Sequence, residues 1–398
     1  MKKILSVLLA VAMLLSLAAC GGGEEAASGE AEYKVAMITD YADITDQSFN
    51  QTTWEACVAF GEQTGTEVKY YKPVTNDTAG RVASAELAIA DGYNVIVMPG
   101  YAFGALVAEL SGEYPDTKFI ALDVGAGDLL ETGVALKGEQ YDYNPDNWNL
   151  TDYVYMDNVY CAIYQEELSG YMAGYAAVKL GYKKLGFLGG MAVPAVQRFG
   201  YGYVQGIDAA AKELGITVDL NYVYGGLFYG TPDFTAAMDT WYKGGTEVVF
   251  ACGGGIFTSA VEAAVKVEGA KVIGVDVDQA GVIAGVAGMG DDTSLTLTSA
   301  MKGLYPTTVD TLTDVIVNGN WEKYAGKVAT LGLVSGDDPT LNYVQIPMES
   351  TQWNDTFTQD DYKALVKGMF DGTIKVSADT SAAPTVTNVN VTYQDQIA

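Results

Sequence analysis

Asp40, Phe49, Asp123, Gly253 and Asp276 stand at or just beyond the carboxyl ends of short apolar runs, and their side chains suit binding better than reaction. A carboxylate accepts hydrogen bonds from hydroxyl and N–H donors, an aromatic face carries a flat ring, and glycine lets backbone approach a ligand closely. Together they fit a neutral polar ligand such as a sugar or a nucleoside. Taken singly, each aspartate is as well explained as a helix cap or an Asx-turn residue, and Phe49 as core packing. As a set they mark a cleft, because ligands of open parallel sheets bind outside the carboxyl ends of the strands.

Reaction chemistry is poorly provided for. The 398 residues contain no histidine, which removes Ser-His-Asp and Cys-His catalysis and HExxH zinc sites. No GxxxxGK[ST] loop occurs, and Gly189-Gly190 and Gly253-Gly254-Gly255 have the character of tight strand-to-helix turns instead of a GxGxxG fingerprint. Asp276 and Asp278 alternate along a strand, so one of them faces a given site. The expectation is a binding protein, not an enzyme, with no cofactor and no metal.

The elements that place these residues alternate strand and helix. A VAMI core over 33–39 ends at Asp40, and a helix opening at Ser48, with Gln51 as its capping-box partner, carries Trp54 and Val58 and stops near Gly65. Strand 94–98, helix 103–112 and strand 118–122 follow, the last ending at Asp123. A Tyr-, Asp- and Asn-rich stretch over 138–157 interrupts the pattern as a surface insertion or crossover. A second series then runs from helix 165–180 through strands 184–188, 217–224, 247–252 and 271–275, the last ending at Asp276.

This predicts an α/β protein of the type I periplasmic-binding-protein kind, two doubly wound Rossmann-like lobes with a ligand cleft between them. The expected division is 33–160 plus about 295–325 for the first lobe and 161–294 plus about 326–398 for the second.

Ahead of the lobes, Lys2 and Lys3 precede an uncharged run over 4–17 and then Leu17-Ala18-Ala19-Cys20. That is a secretory signal ending in a lipobox over residues 1–20, with Cys20 lipidated and 21–32 as a flexible tether. The expected location is the outer face of the cell membrane, held by lipid. With 22 Lys plus Arg against 50 Asp plus Glu, the net charge of −28 opposes nucleic-acid binding. Cys57, Cys161 and Cys252 are widely separated and suit buried thiols instead of a disulfide framework. A monomer is expected.

Five stretches resemble the basic membrane lipoprotein family. They are Asp46-Gln47-Ser48-Phe49-Asn50-Gln51, the run 165–174, Gly189-Gly190-Met191, the run 194–202, and Gly274-Val275-Asp276-Val277-Asp278-Gln279. The resemblance covers about 34 to at least 317. It implies a substrate-binding lipoprotein that captures a nucleoside, most often a purine nucleoside, for an ABC permease. It further implies that Asp40 and Asp123 hold the base, Phe49 stacks on it with Asn50 beside it in the same motif, and Gly253 or Gly254, Asp276 and Lys302 hold the ribose. Phe228 is similar to the second stacking aromatic, with Phe234 and Phe250 as alternatives. A sugar-binding or sensory lipoprotein of the same fold is the competing reading, with a nucleoside-processing enzyme behind it.

Overall fold

Strands that are apolar on both faces need cover on both faces, and that requirement shapes the molecule. The computed structural model describes residues 33–397 apart from residue 41. Cys20, the signal segment and the tether lie outside the described residues.

The first half runs β1 (Lys34–Ile38), α1 (Phe49–Thr64), β2 (Glu67–Tyr71), α2 (Thr78–Ala90), β3 (Val95–Pro99), α3 (Gly104–Leu110), β4 (Lys118–Leu122), α4 (Ala126–Leu136) and β5 (Val159–Tyr164). The second runs α5 (Glu166–Lys179), β6 (Lys184–Gly189), α6 (Pro194–Leu214), β7 (Val218–Tyr224), α7 (Pro232–Lys243), β8 (Val248–Cys252), α8 (Phe257–Ala264), β9 (Lys271–Asp276), α9 (Ala280–Val286) and β10 (Thr296–Lys302). The chain finishes with α10 (Leu304–Leu312), β11 (Lys327–Leu331), β12 (Val344–Gln345), α11 (Gln359–Phe370) and β13 (Val389–Tyr393).

Two sheets result, ordered β2-β1-β3-β4-β5-β11 and β13-β7-β6-β8-β9-β10-β12. Every neighbouring pair is parallel except β12 against β10. Both halves follow the same winding, and each reverses direction at a switch point, β1/β3 in one and β6/β8 in the other. Side chains alternate across each sheet: Val35 and Met37 join one apolar layer while Ala36 and Ile38 join the opposite one. Full burial of such side chains stabilises by roughly 1.5–3 kcal/mol each. Cys57, Cys161 and Cys252 are free and buried in these layers.

The lobe boundaries differ from the sequence expectation. Residues 296–302 form β10 of the second sheet, not part of the first lobe, and the chain returns to the first lobe only after Gly303, where α10 packs on α1. Residues 327–331 then add β11 to the first sheet beside β5 before the chain crosses back, so the C-terminal portion of the second lobe begins after 331 and not at 326. The reason is edge pairing: β10 extends the second sheet directly from β9, and the edge that β5 leaves open in the first sheet is filled by β11, a strand from later in the chain.

The start of α1 also departs from expectation. Ser48 is the N-cap but its hydroxyl caps nothing. Asp46 does that work, accepting from the backbone N–H groups of Ser48, Asn50 and Gln51 at 2.9–3.0 Å. Gln51 accepts instead from the backbone N–H of Gln47 at 3.0 Å. The Ser48 hydroxyl is thereby free to reach the other lobe.

Candidate functional site

Between the carboxyl ends of the two sheets lies a cleft of about 430 Å³, within the range of about 300–1,000 Å³ usual for small-ligand sites. Asp40, Phe49, Asn50 and Asp123 line it from the first lobe, and Phe228, Gly253, Gly254, Asp276 and Lys302 from the second. The structure therefore brings together every binding residue expected from the sequence. Asp278 is not among them: it lies beyond β9 and accepts from the backbone N–H of Ala280 at 3.2 Å.

Lys302, the last residue of β10, is the hub. Its side chain is 3 % exposed, its ammonium is bonded to Asp123 Oδ2, and it lies 3.5 Å from Asp276 Oδ1 and 3.6 Å from Glu166 Oε1. It also stands over the Phe49 ring, 4.6 Å from the centroid, a cation–π contact. Burial pulls the Lys302 ammonium toward neutrality, but Asp123, Asp276 and Glu166 together hold it above the ordinary lysine value, so it is charged. Burial raises Asp276, opposed by Lys302 and by Ser48, whose hydroxyl donates to Asp276 Oδ2 at 2.6 Å.

Asp123 and Asp276 adopt the left-handed backbone region, with φ of 58° and 66°. Aspartate tolerates that region better than most side chains. Asp123 Oδ1 is buried with no hydrogen-bond partner, an acceptor in the cleft wall beside its lysine-bound twin.

Asn50 fixes Asp40. Its amide donates to Asp40 Oδ1 at 2.8 Å and Asp46 Oδ2 at 2.9 Å, while its carbonyl accepts from the Asp40 backbone N–H at 3.1 Å. Both donors are thus engaged, and Asn50 is a positioning residue for the Asp40 carboxylate.

On the facing wall, Phe228 packs against the glycines that follow β6 and β8. A Cβ at Gly190 would come within 2.6 Å of the Phe228 ring, and one at Gly254 within 2.8 Å of its carbonyl oxygen. Phe234 and Phe250 are wholly buried in the core, which leaves Phe228 as the cleft aromatic among these three.

Several functional groups were not singled out from the sequence. Glu166 opens α5 and is fully buried, accepting from Arg198 Nε at 2.6 Å. Burial raises its carboxyl, opposed by Arg198. Arg198 itself lines the cleft. Helices α5 and α6 approach so closely that a Cβ at Gly170 would lie 2.2 Å from the Phe199 carbonyl oxygen, and one at Gly202 2.1 Å from that of Glu167. That approach brings the Glu166 and Arg198 ends of the two helices together. The signal in the sequence was a pair of acids opening a helix otherwise apolar all round.

Asp128 is a further wall residue, with its carboxyl pushed up to about 6 by burial, against the Gly125 N–H it accepts. In sum the cleft carries Asp40, Asp46, Asp123, Asp128 and Asp276 against Arg198 and Lys302. Such a cleft disfavours anions and offers acceptors to hydroxyl and N–H donors. Among the described residues no cluster of three or more His, Cys, Asp and Glu side chains is arranged to hold a metal ion.

Two like-wound α/β lobes around a polar cleft define a solute-binding protein of the type I periplasmic-binding-protein fold. A solute-binding protein of Aeropyrum pernix superimposes with a TM-score of 0.62 at 20% identity, over 86% of this chain and 87% of that one. The model of the Bmp family, described as ABC transporter substrate-binding protein PnrA-like, matches residues 33–364, and the chain belongs to that family. It is a family of binding proteins, not enzymes. The ABC transporter nucleoside-binding protein BmpA of Lactococcus lactis is 26% identical over 84% of this chain and 90% of its own length. An uncharacterized lipoprotein of Pyrococcus furiosus is 24% identical over 94% and 88%.

Proposed function

We propose that this substrate-binding protein captures a nucleoside of the purine class in the interlobe cleft and hands it to an ABC permease. The observation that carries the reading is Lys302 held between Asp123 and Asp276 beneath the Phe49 ring. A donor flanked by acceptors matches a vicinal diol, and the Phe49 and Phe228 faces match a flat base. The acidic lining favours the neutral nucleoside over its phosphates. The name of the Lactococcus lactis relative agrees with this. Native mass spectrometry of freshly purified protein tests it: a retained nucleoside mass supports the reading, and a retained hexose or an anionic nucleotide counts against it.

The same reading makes Cys20 the lipidated anchor at the outer face of the cell membrane, in keeping with a lipoprotein relative. Labelled fatty acid should enter the wild-type protein and not Cys20→Ala; equal labelling of both would refute the anchor.

A further inference from the structure

Two segments outside the alternating βα pattern, one from each lobe, reach the same cleft. The first is the stretch between α4 and β5, which packs Tyr141 on Leu130 and Val134 of α4. It is tied internally by Asp142, which accepts from Asn147 Nδ2 at 2.6 Å and Trp148 Nε1 at 2.7 Å. At its tip Tyr143 lines the cleft although the residue is 75% exposed, and its backbone is left-handed with φ of 59°. A bulky residue in that region costs free energy and persists where the surroundings or a function require it.

The second segment lies beyond residue 364, where the family match ends. Residues 378–386 form a loop pinned at both ends to one turn of α6. Ser377 exchanges backbone hydrogen bonds with the Gln205 amide at 2.8 and 3.0 Å, and Asp208 accepts from the backbone of Thr387 and Asn388 at 3.0 and 2.7 Å. From this loop Thr380 lines the cleft. Exposed Pro145 and Pro194 line the same cleft, giving it an apolar rim above the buried charges of Lys302 and Glu166.

We propose that Tyr143 and the loop carrying Thr380 form an outer subsite, one half on each lobe, that covers the ring of a bound ligand at the mouth of the cleft and slows its release. The inference rests on the cleft being the ligand site and extends the nucleoside reading: the ligand must carry a flat ring long enough to reach the rim. Because Tyr143 covers ligand that is already anchored inside, its contribution falls on dissociation more than on association.

Stopped-flow dissociation of inosine from the full chain tests this. Tyr143→Ala should release inosine about three- to tenfold faster, the scale of one lost aromatic contact. Tyr143→Phe should restore slow release, and Tyr155→Ala, an exposed tyrosine of the same segment away from the cleft, should match wild type. Release from Tyr143→Ala at the wild-type rate would overturn the subsite while leaving the nucleoside reading intact. If wild type binds D-glucose and no nucleoside, the nucleoside reading falls, and the subsite, which needs a flat ring, falls with it. Wild type that binds neither overturns both.

Discussion

Asp123 and Asp276 occupy the same place in the two halves of the molecule: each closes the fourth strand of its lobe, each is left-handed, and both face the ammonium of Lys302. The sequences agree as well. Lys118-Phe119-Ile120-Ala121-Leu122-Asp123-Val124 and Lys271-Val272-Ile273-Gly274-Val275-Asp276-Val277 share the lysine, the isoleucine and the Asp-Val end, and each leads to an Ala-Gly pair that opens a helix. One cation therefore joins two equivalent carboxylates from opposite lobes, at the point where a ligand would lie.

Removing that cation should be costly. Lys302→Met leaves Asp123, Asp276 and Glu166 around an uncharged side chain, and breaking such a buried arrangement costs about 3–5 kcal/mol. Since burial already raises Asp276 and Glu166, protonation would relieve the variant at low pH, and the loss should be larger at pH 8 than at pH 5. Urea melts at the two pH values check this; an equal loss at both would contradict the charge argument.

A second expectation concerns the Ser48 hydroxyl. It crosses the cleft to Asp276, and Gln279 Nε2 donates to the Gln47 carbonyl beside it at 3.1 Å, so the closed arrangement is held by contacts between lobes. Ser48→Ala removes a charge-assisted bond worth about 1.5–3 kcal/mol. The variant should show a larger radius of gyration by small-angle scattering and about tenfold weaker ligand binding. A radius and affinity equal to wild type would show that the bond does not govern closure.

Glu167 should give a pH signature of its own. Its carboxyl is pushed up to about 7, chiefly by burial, above the ordinary glutamate value it has when unfolded. Between pH 8 and pH 5 the folded chain therefore takes up a proton that the unfolded chain does not. Its contribution to stability is full at acid pH and lost as pH rises through about 7. Glu167→Gln should flatten the stability profile between pH 5 and pH 8 by about 2–3 kcal/mol. Parallel profiles for variant and wild type would refute the assignment.

Much of this site could be read from the sequence because strand ends in parallel sheets are marked by a change from apolar to polar residues. Asp40, Asp123 and Asp276 each end such a run. The crossovers could not be read in this way, since β10 and β11 look alike as apolar runs and their sheet is decided by which open edge each reaches. Ser48 is the N-cap position, but its hydroxyl does not cap because Asp46, two residues earlier, competes for the same N–H groups and wins with a charge. The repeat around Asp123 and Asp276 is interrupted by one extra residue before its Ala-Gly pair, which hides it from a search at fixed period.

The most direct test of the nucleoside reading is calorimetric titration of wild type, Phe49→Leu and Asp123→Ala with inosine, guanosine, adenosine and D-glucose. Phe49→Leu keeps part of an apolar contact and should weaken nucleoside binding by about tenfold or less. Asp123→Ala removes a charged acceptor and frees Lys302 from its partner, and should weaken it by about tenfold to a hundredfold or more. The account predicts nucleoside binding by wild type, no glucose binding, and that order of losses. Glucose binding with no nucleoside binding, or an Asp123→Ala variant that binds nucleosides as wild type does, would contradict it.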